Sequence, residues 1–174
     1  GVSGWVVCDA TDSSSAAGIR MQAAGVQKWW IYNNPASGPH RLIIADAGDN
    51  SGVYLPQDTA SWSSISDERM KKDWINFSDA LTKINKLTKI GTFRKINPIS
   101  GKYVNDDPNV IQTGLSAQEV QKILPNSISK GRRNPELYPD DETEYLGMSY
   151  QDVFVLGIKA IQELSAKVTA LENA

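Results

Sequence analysis

Residues 61–74, SWSSISDERMKKDW, separate two kinds of sequence and so decide the fold. Upstream, short apolar runs alternate with Gly, Asn, Asp, Ser and Pro; downstream, apolar residues recur at helical spacing. GWVVCDA, GIRMQAA, KWWIYNN, RLIIADA and GVYLP, all before Ser61, read as strands joined by turns. Alternation within them, as in Ile19/Met21/Ala23 and Trp29/Ile31, predicts that every second side chain faces a buried surface. A β half of about 60 residues buries only a marginal core alone, and exposed strand edges invite pairing with other chains. Oligomerisation is the expected remedy.

Beyond Trp62, Leu81, Ile84, Leu87 and Ile90 recur every three residues in DALTKINKLTKIG, predicting an amphipathic helix ended by Gly91. TFRKI and NVIQTGL read as strands around a turn-rich segment. SAQEVQKIL reads as a helix, with Ser116 and Glu119 spaced as a capping box and Pro125 as its stop. NSISKGRRNPELYPDDETEY followed by YLGMS predicts a second hairpin or a long surface loop. The final QDVFVLGIKAIQELSAKVTALENA sets Phe154, Ile161 and Val168 at one heptad position and Gly157, Leu164 and Leu171 at the other. This is either a coiled-coil seam or a helix packing on its own domain, and with three heptads a seam is too weak to assemble chains unaided. The fold class is therefore α+β.

Among the 174 residues there is one cysteine, Cys8, and one histidine, His40. An intrachain disulfide framework, a Cys-rich zinc site and the usual His-based triads are excluded, and no metal or cofactor is expected. The net charge of −2 and a pI near 5.4 supply no general basic field, so no nucleic-acid partner is expected. No apolar run reaches the roughly 18 residues of a membrane span and no signal-peptide pattern is present, which reads as a soluble piece of a longer protein.

Ser66 has a plain reading: Ser64 or Ser66 caps a helix, with Asp67/Lys71 and Glu68/Lys72 paired four residues apart. Its chemical reading pairs a serine nucleophile with a lysine base, Lys71 or Lys72, which needs no histidine. On a continuous helix residues 66 and 71 are about 140° apart, so they meet only if Ser66 lies outside it or a turn bends back. A lysine titrating near its ordinary value of about 10.4 also has to be desolvated to act as a base.

SDERMKKD, followed by GLSAQEVQKILP and a terminal apolar helix, resembles the C-terminal intramolecular chaperone domain of phage tailspikes and tail fibres of the endosialidase type, the S74 self-cleaving peptidases. The resemblance spans roughly Ser66 to Ala174, and the β half resembles the end of a trimeric β-helical stalk. It implies residues 1–65 as stalk and 66–174 as a mixed helix and hairpin chaperone domain ending in a long coiled-coil-like helix. Also implied are a homotrimer, with the stalk segment of the same chain as folding client, and cleavage of the Ile65–Ser66 bond. Ser66 matches the nucleophile and Lys71 the catalytic lysine, with Asp67 and Arg69 as orienting groups. Gly114, Ala117, Gln118 and Glu119 match a second motif, read as a packed strand-to-helix corner rather than as catalytic. Gln112 stands where some relatives carry a histidine. Phe154, Ile161, Leu164, Val168 and Leu171 form the expected trimer seam. Assembly is expected in the host cytoplasm, with the stalk kept in the virion tail and the chaperone released. The rival reading is a non-cleaving trimerisation cap or receptor-binding tip, with the basic SKGRR loop touching a ligand.

Overall fold

The computed structural model describes residues 7–11, 15–34, 40–48, 51–64 and 66–174. The chain divides into two compact units, Gly1–Trp74 and Ile75–Ala174. Its class is α+β, with antiparallel sheets and one long terminal helix. No helix among the described residues is long and apolar enough to cross a membrane.

The first unit is an antiparallel meander of β1 (Ala17–Ala23), β2 (Val26–Asn34), β3 (Arg41–Asp46), β4 (Gly52–Pro56) and β5 (Ser63–Ser64), in spatial order 1-2-3-4-5. Four of the expected strands are here. Of the first, GWVVCDA, residues 4–6 lie outside the described residues and Val7–Ala10 form no strand. Ala24 and Gly25 both adopt positive φ, the conformation that a tight turn between right-twisted strands requires.

The register sorts side chains onto two faces. Arg20, Trp30, Tyr32, Arg41, Ala45 and Tyr54 share one face. There Trp30 stacks on Tyr32 at 4.5 Å, and Arg20 and Arg41 lie over Trp30 and Tyr54. Tyr32 and Ala45 are the buried residues of the sheet. The other face carries Ile19, Met21, Trp29, Ile31, Leu42, Ile44, Val53 and Leu55. The alternation is as expected, but the burial is not: Ile19, Met21, Trp29 and Leu42 are exposed and the rest only half-buried. Among the described residues of this unit, nothing covers this face.

The second unit contains α1 (Ala80–Ile84), β6 (Ile90–Phe93), β7 (Gln112–Leu115), α2 (Ala117–Ile123), β8 (Ile128–Gly131), β9 (Tyr145–Met148) and α3 (Tyr150–Glu172). β6 pairs with β7 and β8 with β9, both antiparallel, so of the two alternatives, a second hairpin or a long surface loop, the hairpin is the one that forms. Its core is Ala80, Leu87, Val120, Leu124, Val153, Leu156 and Ala160. Val120 and Leu156 are fully buried, worth about 1.5–3 kcal/mol each in transfer free energy.

Two expectations need correcting here. The helix at 79–91 ends at Ile84: Lys86 and Leu87 bond only three residues back, and Gly91 pairs with Gly114 in a strand rather than capping a helix. A three-residue apolar repeat suits one helical turn followed by a tightened one as well as it suits a long helix. The capping box is also absent. Ser116 has the backbone of a cap, but its hydroxyl bonds the Gln118 side chain, and Glu119 reaches elsewhere.

In α3, Ser149 caps the first turn through the Asp152 N–H, while Val153, Leu156 and Ala160 face the core. The expected seam residues lie off that face: Phe154 is 68% exposed, Ile161 68%, Leu164 48%, Val168 44% and Leu171 78%. The helix therefore packs on its own unit with one stripe and leaves a second apolar stripe open.

Candidate active site

Asp67 builds the local geometry. Its side chain accepts the Arg69 N–H at 2.9 Å and caps a single 3-10 turn, Glu68–Met70, which closes when Lys71 N–H donates to Glu68 O at 2.9 Å. Arg69 folds back onto the same carboxylate through Nε, at 3.0 and 3.2 Å to its two oxygens, and through a second guanidinium nitrogen at 2.6 Å. That pairing, then the Arg69 N–H, holds Asp67 below the usual carboxylate range, and the same carboxylate raises Arg69. The Arg69 side chain is 90% exposed, so its observed work is to fix the turn.

The expected helix is thus one turn long, and Asp67, not Ser64 or Ser66, is its cap. The four-residue ion pairs are replaced by Asp67–Arg69, a shorter loop to close and bidentate. Lys71 leaves the turn with extended backbone, which sends its side chain back toward residue 66. Nζ donates to Ser66 Oγ at 2.7 Å and to the Ser66 carbonyl oxygen at 3.2 Å, and lies 5.4 Å from the Trp74 ring centre. The tryptophan, missed in the sequence, has only its position three residues after Lys71 as a signal. Ser66 and Lys71 are both exposed in the single chain, and Ile65, on the acyl side of the expected scissile bond, lies outside the described residues.

The second motif belongs to the other unit and organises a corner there. Gly114 is required: a Cβ in its place meets the Tyr150 hydroxyl and the Phe93 ring, and the same hydroxyl is 3.4 Å from Leu115 N. Gln112 lies in β7 opposite Phe93, and Ala117 opens α2. Glu119 accepts the N–H groups of Thr88 and Lys89 at 2.8 and 2.9 Å and the Thr88 hydroxyl at 2.7 Å. The Lys89 amide leads the interactions that lower its pKa. Glu163 of α3 does the same at the start of α1, taking the N–H groups of Ala80 and Leu81 at 3.0 and 2.9 Å, and it is lowered chiefly by the Leu81 amide. Its role follows no sequence signal, since its partners are more than eighty residues away. Among the described residues no His, Cys, Asp and Glu cluster could hold a metal.

Residues 66–129 match the peptidase S74 family, chaperone of endosialidase. The S74 match opens at Ser66 and runs through the turn, α1, the β6–β7 hairpin and α2 into β8. Both motifs that carried the resemblance fall inside it. No curated protein matches the chain.

Proposed function

We propose that residues 66–174 form an intramolecular chaperone that assembles three copies of the β half into a phage tailspike or tail-fibre stalk and then cuts itself free between Ile65 and Ser66. The observation that carries the peptidase reading is the 2.7 Å contact between Lys71 Nζ and Ser66 Oγ. It lies within the reach that a nucleophile and its base need.

In this reading neutral Lys71 takes the hydroxyl proton and Oγ attacks the Ile65 carbonyl carbon. The C–N bond breaks, the lysine returns the proton to the departing Ser66 nitrogen, and Ile65 becomes an ester on Oγ. Water opens the ester, leaving an Ile65 carboxylate and Ser66 as a new N-terminus with its hydroxyl restored. Asp67 and Arg69 act as positioning residues because they hold the turn that brings Lys71 back.

A base lysine must be desolvated, and Lys71 is exposed in one chain. Burial by neighbouring copies supplies the missing condition and makes cutting follow assembly. Trimerisation is supported by the open apolar sheet face and by the open stripe of α3, two surfaces that a lone chain leaves wet. Assembly then belongs to the host cytoplasm, the stalk to the virion tail, and the chaperone part to the released fraction. The test is intact mass on purified protein: fragments ending at Ile65 and beginning at Ser66 are expected. A folded trimer that stays full-length for days under mild conditions would overturn the peptidase reading and leave a trimerisation cap.

A further inference from the structure

The serine and lysine have a third neighbour that the reaction above does not use. Lys71 leaves its turn with extended backbone, φ −125° and ψ 141°, and in a continuing strand residue 74 would point to the opposite side. Asp73 interrupts that run. Its φ of 57° lies in the left-handed region, uncommon outside glycine, and the chain bends there. Trp74 is turned back by the bend, and its ring centre lies 5.4 Å from Lys71 Nζ, within the range of a cation–π contact. Trp74 is 68% exposed, so core packing does not account for its placement.

Nζ has few other protein partners. Among the described residues no carboxylate lies within ion-pair distance of it. Asp67, whose carboxylate feels the Lys71 charge, is closed on Arg69 at 2.6 Å. The contacts of Nζ are Ser66 Oγ, the Ser66 carbonyl oxygen and the indole face.

A base that takes a proton where water has been removed is left there as an ammonium, which is costly unless other groups receive the charge. The Ser66 carbonyl oxygen accepts one N–H, and the negative face of the indole attracts the cation, more strongly as the site dries. We infer that Trp74 is a positioning residue for Lys71, holding Nζ on Ser66 and stabilising the lysinium as it forms, an inference that rests on the peptidase reading above. A pH profile of particular shape follows. The ring favours the ammonium to a similar degree in the resting site and in the transition state. At low pH, where the resting lysine carries its proton, the two effects cancel; at high pH, where it is neutral, the ring lowers the barrier in full. A ring that served only as packing would scale the whole profile alike.

The test uses the full chain, collected unfolded in urea so that no cutting precedes the measurement. It is diluted into buffers from about pH 6 to about pH 10, a span that reaches the ordinary lysine value and stays above the depressed Asp67 one. Ser66→Ala, carried alongside, gives by light scattering the time that assembly takes, and rates are read from fragments formed after it. Trp74→Leu should match the wild-type rate at the acid end and fall roughly fivefold to thirtyfold below it at the alkaline end, with Trp74→Phe in between. Its thermal melt should stay unchanged, because the side chain it replaces is exposed. A loss that is uniform across pH, equal rates throughout, or a leucine variant as fast as the phenylalanine one overturns the inference and leaves the serine–lysine reading standing. A folded wild type that stays whole at every pH overturns both.

Discussion

At the scale of residues, the Ser66–Lys71 contact makes sharp demands. Ser66→Ala and Lys71→Ala should each stop fragment formation while leaving assembly intact, a loss of at least about 10²–10⁴ in rate for a positioned acid–base group. Lys72→Ala should cut as the wild type does. Cleavage surviving in Lys71→Ala but not in Lys72→Ala would reassign the base. The Asp67–Arg69 pairing carries a pH signature. Asp67 titrates below its ordinary value, so the turn's stabilisation is complete above that value and is lost as pH falls through the depressed one. The Arg69 Nε–H resonance should therefore move only below the usual carboxylate range, and Asp67→Asn should abolish that step and slow cutting without stopping it. The residues alone left the base open between Lys71 and Lys72, because chemistry without histidine asks for a lysine and not for a spacing; only the family resemblance put Lys71 with Ser66, and the structure brings these two within 2.7 Å. The true cap was not legible, because a serine and an aspartate stand side by side and only the arginine two residues on decides between them.

At the scale of elements, what escaped the sequence is long-range. α1 begins on a carboxylate borrowed from α3, and the link from it into β6 is held by one borrowed from α2; a repeat of leucines and isoleucines cannot report a glutamate thirty or eighty residues away. Both glutamates are depressed by the amides they bind, so their contribution is present above the ordinary glutamate value and fades as pH falls through the lowered ones. Glu119→Gln and Glu163→Gln should each lower the melting temperature at neutral pH, whereas Glu172→Gln, at the exposed helix end, should not. The two faces of α3 separate in the same way. Leu156→Ala should cost about 2–5 kcal/mol in chemical denaturation, because a fully buried leucine leaves a cavity. Phe154→Ala should be nearly neutral in a monomeric sample and should weaken the trimer. The hairpins and α2 were legible, since turn residues and period-two or helical patterns there agree with the fold around them.

At the scale of the whole molecule, Leu164→Asp combined with Leu171→Asp places charge in the open stripe of α3. Light scattering should then give the mass of one chain, because unpaired charges resist burial. If trimer formation is what buries Lys71, the same sample should stay uncut on a gel. Cutting at the wild-type rate in a monomer would separate the reaction from assembly.

The meander has a further consequence in time. Every strand in it pairs with its sequence neighbour, so the sheet closes only short loops and can form early. Residues 1–74 leave the ribosome before residues 75–174, and those hundred residues follow over roughly 5–20 s at ordinary synthesis rates. Throughout that interval the face bearing Ile19, Met21, Trp29 and Leu42 stands finished and uncovered. On a crowded message several such nascent faces wait side by side, and for the trimer proposed above, chains read from one transcript would be the nearest candidates to cover one another.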